Sequence, residues 1–294
     1  MAIGYRPFKN ESDFDIQRSI FLQATKGLLW AWKPNKTQER FFSRPNFDPN
    51  SKLFAYDGDE PIGYESCVNW NNETPIGYPW MLPNLYKIKS GEIQNHLFDT
   101  VYNYAINNFN SRFFIQRFRK EWIDQICFFE EKGFSRSRSY PIFIRELKTQ
   151  NEYDFDPRFE HSILDSIGQD ILKITKYDSR LKKEDDNDII QYYDSDLDLD
   201  CIIQTKIKSN SKAVGISGMA SRDDTGYSEI MLFAIHSDFP EASSELLQAT
   251  IRELGNRQYQ YCSTTLNEND SQVDYFKQFN FRETSESVYY TKQL

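Results

Sequence analysis

Apolar and polar residues alternate in many short runs along this chain, and between the runs apolar residues recur at helical spacing. Alternation predicts strands that bury one face, whereas a spacing of three to four residues predicts helices. The helical spacing is clearest at Ile93, Leu97 and Val101, which predict an amphipathic helix over 91–107. The strands predicted in the first half are 3–8, 52–56, 62–68, 75–82, 112–118 and 139–146.

The second half repeats this order of elements. Its predicted strands are 171–177, 201–207, 213–220, 227–235, 258–265 and 286–292, and its predicted helices are 182–193, 240–254 and 270–279. The segment that ends in Gly133-Phe134 resembles the segment that ends in Asn280-Phe281, 147 residues later, which is half of the 294-residue length. A repeat of this period indicates duplication. We therefore predict an α/β fold with a mixed sheet in each of two domains, 1–147 and 161–294, joined by a polar linker at 148–160.

Composition and charge narrow the class of protein. Aromatic residues make up 16% of the chain, which supplies a core despite a hydrophobic content of 39%. The net charge of −9 argues against a partner of duplex nucleic acid, which needs many phosphate-neutralising cations. This charge is unevenly divided, because residues 1–147 carry a net +2 and residues 148–294 a net −11.

Cysteine and histidine usage points to a cytoplasmic protein without a metal centre. The four cysteines are widely spaced without a CxxC pair, and the three histidines show no paired spacing, so we expect reduced thiols and no metal. No apolar run approaches 18 residues, so no membrane partner is expected, and the first residues lack the pattern of an export signal.

Several short motifs of the second half occur in an order that one family of enzymes shares. Val214-Gly215 stands like that family's third strand, 223–226 like its hairpin, and 230–235 like its fourth strand. Asn269 precedes Phe281 by twelve residues, where the family often has an asparagine. In these motifs the chain resembles the GNAT superfamily of acyl-CoA N-acyltransferases. The resemblance implies two tandem GNAT-like domains, each a mostly antiparallel sheet flanked by helices, and acetyl-CoA or CoA as co-substrate.

Both halves offer a candidate loop for the CoA pyrophosphate, which the family binds where its long helix begins. The spacing favours the second half, where Ala242, Ser243 and Ser244 provide small residues and Asn269 follows, but the basic residue of the family motif is missing there. Charge favours the first half, because a polyanion is drawn to the less acidic unit. The residues of the candidate loop there are Lys87, Lys89, Ser90 and Gly91.

The catalytic residues that the resemblance implies are incomplete. The family's acid is often a tyrosine five residues before the final Phe, but Phe129 and Phe276 occupy these positions, and Tyr275 is only adjacent. Glu229 on the fourth strand of the second half and Glu65 on the third strand of the first half are candidate bases.

Two functions follow as expectations. The first is an acetyl-CoA-dependent N-acetyltransferase that acts on an amine of a small molecule or peptide, with the acidic second half favouring a cationic acceptor. The alternative is a catalytically inactive tandem GNAT-like protein used for binding or assembly, which the missing tyrosine and the incomplete phosphate loops favour. A third option, an aminoacyl-tRNA donor, rests only on the basic strand at 112–120.

Overall fold

The chain divides into two compact units. The computed structural model describes residues 3–34, 37–44, 46–70, 72–83, 90–147, 154–166, 174, 199–267, 270 and 272–294. Unit 1 comprises Met1–Ser139 together with Ser287–Leu294, and unit 2 comprises Tyr140–Glu286. The domain limits predicted from the repeat, 1–147 and 161–294, stay a prediction; within the predicted linker, a strand begins at Phe159.

Unit 1 contains six whole strands and four α-helices among its described residues. The strands are β1 (Ile3–Pro7), β2 (Lys52–Asp57), β3 (Glu60–Ser66), β4 (Glu73–Pro75), β5 (Trp80–Met81) and β6 (Phe113–Arg119). The helices are α1 (Ser12–Ala24), α2 (Gln38–Phe42), α3 (Ser90–Asn108) and α4 (Ile123–Glu131). Strands β1, β2, β3 and β5 form one antiparallel sheet, whereas β4 lies parallel to β6 in another.

Unit 2 is built around a mixed sheet. Its strands and helices are the end of β7 (Ser135–Glu146), β8 (Phe159–Leu164), β9 (Cys201–Ile207), β10 (Lys212–Arg222), β11 (Tyr227–Ile235), α5 (Ala242–Asn256), β12 (Tyr261–Thr265) and α6 (Val273–Gln278), followed by the start of β13 (Arg282–Gln293). The strand order is β7-β12-β11-β10-β9-β8, and only β11 and β12 are parallel. The predicted strand 171–177 and helix 182–193 lie outside the described residues apart from Ile174.

The repeat reappears in the way that one helix of each unit ends. Gly133 follows α4 with a φ of 82°, and Asn280 follows α6 with a φ of 61°. In both places the next residue, a Phe, donates its backbone N–H to the carbonyl of the Phe five residues earlier, at 3.0 Å in unit 1 and 3.2 Å in unit 2. Glycine and asparagine are the residues that adopt left-handed backbone at a helix end most readily, so the duplicated motif encodes a duplicated helix stop.

Each unit buries its own core. In unit 1 the core is largely aromatic, and Phe54, Phe98 and Phe129 are at most 1% exposed. In unit 2 aliphatic side chains of α5, such as Leu246 and Leu247, pack with Phe276. Within the described chain, no helix combines the length and hydropathy needed to cross a membrane.

The last strands of the two halves are exchanged. The sequence placed the strand at 139–146 in the first copy and the strand at 286–292 in the second. Residues 142–146 of β7 instead pair with β12 of unit 2, and residues 287–293 of β13 pair with β6 of unit 1. Both pairings are antiparallel. Strand β13 therefore lies beside β6, where we expected β7, and β7 lies beside β12, where we expected β13. Local periodicity predicts a strand but carries no information about its pairing partner.

Removal of residues 287–294 is expected to unfold unit 1. The deletion leaves one edge of β6 unpaired and removes Val288 and Tyr290, which are 2% and 6% exposed. Loss of two buried side chains costs about 4–8 kcal/mol, comparable with the whole stability of a domain. Hydrogen exchange of the β6 amides is the measurement.

The control is Tyr290→Phe, which keeps the ring and the strand but removes the hydrogen bond from the Tyr290 hydroxyl to Glu130 (3.0 Å). This variant should lose only about 1 kcal/mol. Unchanged protection of β6 after the deletion would show that the exchanged strand is dispensable.

Candidate active site

One segment of unit 1 loses its pairing with β6 after Ile76 while it stays beside β3 and the residues that follow β3, and we call this point the crossover. The sequence predicted a continuous strand at 75–82, but β4 pairs with β6 only as far as Pro75, and β5 pairs with β3. At the crossover Ile76 donates its N–H to the Ile115 carbonyl (3.1 Å), whereas Gly77 donates to the Ser66 carbonyl (2.8 Å). Pro79 has no N–H to donate to a ladder, which favours a break at this position.

Glu65 of β3 lies beside this crossover with an unpaired carboxylate. Its side chain is fully buried, and neither carboxylate oxygen has a hydrogen-bond partner within the described part of the chain. A Cβ added at Gly77 would lie 3.3 Å from Oε1 of Glu65, so a glycine keeps the backbone close to this carboxylate. Burial raises the pKa of Glu65 well above its usual range. The backbone N–H of Ser66 lowers this pKa by a smaller amount, although it does not form a full hydrogen bond with the carboxylate.

Tyr78, at the crossover itself, supplies a hydroxyl that the sequence analysis missed. Gln94 of α3 donates its amide to the Tyr78 hydroxyl (2.9 Å) and to the Pro79 carbonyl (3.1 Å). Burial raises the pKa of Tyr78; the Gln94 hydrogen bond opposes this, and the charges of Asp124 and Glu65 add to it. The phenol therefore keeps its proton at neutral pH. Pro79, the next residue, is the sequence feature that could have pointed to Tyr78, because a proline marks a break in a strand.

Helix α3 begins with an open turn. Ser90 is its first residue, and a Cβ added to the exposed Gly91 would meet nothing within 4 Å. The first N–H groups of a helix have no partner within the helix and attract anions. Lys87 and Lys89 of the same predicted loop lie outside the described residues.

The equivalent turn of unit 2 uses its polar groups internally. Ala242, the first residue of α5, is fully buried. Ser243 donates its hydroxyl to the Pro240 carbonyl (2.6 Å), and Ser244 donates to the Glu241 carbonyl (3.1 Å). Both serine hydroxyls are therefore engaged within the turn. Asn269, the other residue assigned to this loop, lies outside the described residues.

Both helices carry an acid in the first turn, but Glu92 of α3 is exposed whereas Glu245 of α5 is buried. Glu245 is 6% exposed and accepts the backbone N–H of Asp156 (3.1 Å). Burial is the main cause that raises the pKa of Glu245. His161 lies 3.8 Å from the same carboxylate, and burial together with the charges of Arg252 and Lys208 lowers its pKa to about 4. A neutral histidine and an acidic side chain provide no positive charge for a phosphate.

Glu229 of unit 2 differs from Glu65 in its hydrogen bonding. It lies on β11 at 4% exposure and accepts the hydroxyl proton of Thr265 (2.7 Å). Strands β11 and β12 pair only as far as Ile230 and Thr264 and then diverge. Unit 2 therefore has the same kind of divergence between parallel strands that unit 1 has between β4 and β6. The carboxylate at this divergence thus already has a donor.

Side chains of α6 pack against the diverging strand of unit 2. Gln272, at the start of the helix, donates its amide to the Phe233 carbonyl of β11 (3.3 Å), and the rings of Tyr275 and Phe276 lie 6.2 and 5.2 Å from that of Phe233. The Tyr275 hydroxyl is buried without a hydrogen-bond partner among the described residues, and burial followed by the charge of Glu245 raises its pKa. Phe276 is 0% exposed and belongs to the core, as does Phe129 in unit 1.

The candidate residues thus fall into two separate groups. Glu65, Ser90 and Gly91 belong to unit 1, and Glu229, Tyr275, Ala242, Ser243 and Ser244 to unit 2. No group of three or more His, Cys, Asp or Glu side chains that could hold a metal occurs among the residues described.

Comparisons with known proteins agree with this architecture. No protein-family model and no curated protein matches the chain by sequence. Among solved structures, a tandem GNAT protein from the clavulanic acid biosynthesis pathway matches with a TM-score of 0.70 at 10% identity, covering 99% of this chain and 98% of its own. A GCN5-related N-acetyltransferase from Sphaerobacter thermophilus matches with a TM-score of 0.61 at 11% identity, and the match covers 99% of this chain and 95% of that protein.

A third match extends the comparison to a different acyl donor. The N-myristoyltransferase of Saccharomyces cerevisiae, solved with bound myristoyl-CoA, has a TM-score of 0.60 at 9% identity, and the match covers 98% of this chain and 78% of the yeast protein. At such low identities the likeness concerns the fold. The chain has the tandem GNAT fold, with two GNAT-like domains.

Proposed function

We propose that the protein is an acetyl-CoA-dependent N-acetyltransferase that transfers the acyl group directly to an amine of a small molecule or peptide, with its reaction centre in unit 1. The observation that carries this proposal is Glu65, a fully buried carboxylate without a hydrogen-bond partner among the described residues, beside the strand crossover. An unsatisfied buried carboxylate is costly for stability, and such cost is concentrated at functional sites.

The first turn of α3 suits the pyrophosphate of the donor. Gly91 leaves open space above the backbone, and the helix dipole favours an anion there. Ser90 adds a hydroxyl, and we assign Lys87 and Lys89 of the preceding loop as the cationic partners. Acetyl-CoA itself supplies an activated thioester.

The chemistry requires one proton acceptor and one proton donor. Glu65, whose pKa is raised by burial, removes a proton from the acceptor ammonium, directly or through water. The freed amine forms a C–N bond with the thioester carbonyl carbon as the C–S bond breaks. The departing thiolate then takes the hydroxyl proton of Tyr78, and a second proton from the amine goes to solvent.

Unit 2 is the less suitable centre for this reaction. Glu229 already accepts a hydrogen bond from Thr265, and the serines of the α5 turn donate to carbonyls of their own turn. The Tyr275 hydroxyl, like the Glu65 carboxylate, is buried without a hydrogen-bond partner among the described residues, and this is the feature that favours unit 2. Glu229, Tyr275 and the α5 turn therefore form the second-ranked site within the same proposal.

The competing function is a catalytically inactive tandem GNAT-like protein for binding or assembly. It is favoured by the aromatic side chains that pack around the strand crossover, since the ring of Trp122 lies 4.6 Å from that of Trp32 and 6.2 Å from that of Trp80. It is also favoured by the buried phenylalanines at 129 and 276. In either case we place the protein in the cytoplasm, because its four cysteines are unpaired.

Matched substitutions of the two candidate bases distinguish these functions. Glu65→Gln should lower kcat/KM for acetyl transfer by about 100-fold or more, as expected for loss of a general base. Glu229→Gln, in the equivalent region of unit 2, should change it less than threefold. Thiol release from acetyl-CoA over a panel of amines is the assay. Transfer unaffected by Glu65→Gln would refute the assignment of the base, and no transfer to any amine would favour the inactive alternative.

Added negative charge at the two helix starts identifies the half that binds CoA. Gly91→Asp has room for its side chain, and an acidic residue in the first turn suits the helix dipole, so the fold should tolerate it. The carboxylate should weaken CoA binding by about tenfold through repulsion of the pyrophosphate. Ser243→Asp is the matched control in unit 2 and should leave binding unchanged in calorimetry. The reverse result would move the donor site to α5.

The stability of the protein should also report the buried carboxyl of Glu65. A raised pKa in the folded state means that the folded protein holds a proton that the unfolded chain has released, so folding stability falls as pH rises above the unfolded pKa. The loss is about 1.4 kcal/mol per pH unit until the folded pKa is reached. Glu65→Gln removes this loss, so its melting temperature should exceed that of wild type by several degrees more at pH 8 than at pH 5.

Calorimetric scans at both pH values test this expectation. Glu229→Gln serves again as the control. An equal difference in melting temperature at both pH values would mean that Glu65 is not protonated in the folded protein at pH 5.

A further inference from the structure

A cleft opens on unit 1 between helix α1 and strand β3, apart from the proposed reaction centre. It has a volume of about 110 Å³ and is lined by side chains of α1, by Lys33 and Pro34, and by Tyr64. Successive residues of a strand point to opposite faces, so the side chains of Tyr64 and Glu65 lie on opposite sides of the sheet. The cleft is therefore a candidate site of its own.

One wall of the cleft is apolar and aromatic. Phe14 and Tyr64 are 3% and 6% exposed, so both present fixed, well-packed surfaces. Phe21 packs edge-on against Trp80 with 5.5 Å between the ring centroids. Rings held in this way form a rigid surface for an apolar or aromatic group of a ligand.

Gln17 contributes a polar group without a partner. Its Oε1 atom is buried and accepts no hydrogen bond from a described residue. Its amide N–H interacts with the Tyr64 hydroxyl, which lowers the pKa of that group, but burial raises the pKa by more, so the phenol remains neutral. A buried carbonyl oxygen without a donor is unfavourable, and a ligand N–H would provide the missing hydrogen bond.

The charge at the cleft is positive. Arg18 is exposed on α1, and Lys33 lines the cleft as well. Among the described lining residues none carries a carboxylate. Helix α1 carries two acids in its first turn. Asp13 is buried and accepts hydrogen bonds from the Arg6 guanidinium at 2.8 and 2.7 Å, and the exposed Asp15 accepts one from the Gln38 amide at 3.2 Å. A guanidinium at the mouth of an aromatic cleft suits a carboxylate, which it binds through two parallel hydrogen bonds.

We propose that this cleft binds an amino acid or N-acyl amino acid with an apolar side chain. The ligand's carboxylate pairs with Arg18. The N–H group attached to the ligand's α-carbon donates a hydrogen bond to Oε1 of Gln17. The ligand's side chain lies against Phe14, Phe21 and Tyr64. The expectation of a cationic ligand came from the charge of residues 148–294, whereas this cleft belongs to unit 1. The site makes no use of Glu65, so it stands independently of the proposed acyl transfer.

Calorimetric titration with three probes tests the carboxylate contact. The probes are N-acetylphenylalanine, N-acetylphenethylamine without the carboxylate, and 3-phenylpropanoate without the N–H. We expect N-acetylphenylalanine to bind wild type at least tenfold more tightly than N-acetylphenethylamine. Arg18→Gln should abolish this difference, whereas Lys26→Gln, an exposed control just after α1, should preserve it.

The N–H contact has its own variant. N-acetylphenylalanine should bind wild type about fivefold more tightly than 3-phenylpropanoate, and Gln17→Leu should remove that advantage. Equal binding of all three probes to wild type, or an Arg18→Gln variant that still prefers the carboxylate, would overturn the proposal. Repeating the titration with Glu65→Gln separates the two sites, because a defect in acyl transfer leaves binding in the cleft intact.

Discussion

The pairing of the last strand with β6 is the constraint on which unit 1 depends. Residues 287–293 provide the antiparallel partner that β6 lacks within its own half of the sequence. Because unpaired strand edges leave backbone N–H and C=O groups without partners, β6 needs residues 287–293 to complete its pairing. The same residues bring Val288 and Tyr290 into the aromatic core and place Lys292 over the ring of Tyr102, 4.7 Å from its centroid. Folding of unit 1 therefore depends on residues that follow the whole of unit 2 in the sequence.

The two units share a topology but differ at two places, the carboxylate beside the diverging strands and the start of the long helix. In unit 2 the carboxylate of Glu229 and the hydroxyls of the α5 turn have partners within the unit. In unit 1 the carboxylate of Glu65 has none among the described residues, and Gly91 leaves the start of α3 open. Satisfied groups favour stability, whereas unsatisfied groups are available to a ligand.

The sequence predicted most elements of the described chain and a large part of the candidate site. The helix over 91–107 is confirmed as α3, and the duplicated Gly133 and Asn280 stops appear as left-handed residues, because spacing and backbone preference are local properties. Glu65 could be chosen from its place on a strand, but its missing hydrogen-bond partner could not be predicted. Tyr78 could not be identified from the sequence because the hydrogen bond that its hydroxyl accepts comes from Gln94, on another element.

What the sequence by itself determined is therefore the order of strands and helices, the duplication with its period of 147 residues and the resemblance to the GNAT fold. Only the tertiary structure decided which strand completes which unit, since β7 and β13 are similar runs that could pair in either unit. It also decided the difference between Glu65 and Glu229, two carboxylates on buried strands with different surroundings. The physical reason is common to both: strand pairing and the satisfaction of a buried charge depend on residues that are distant in sequence and become neighbours only on folding.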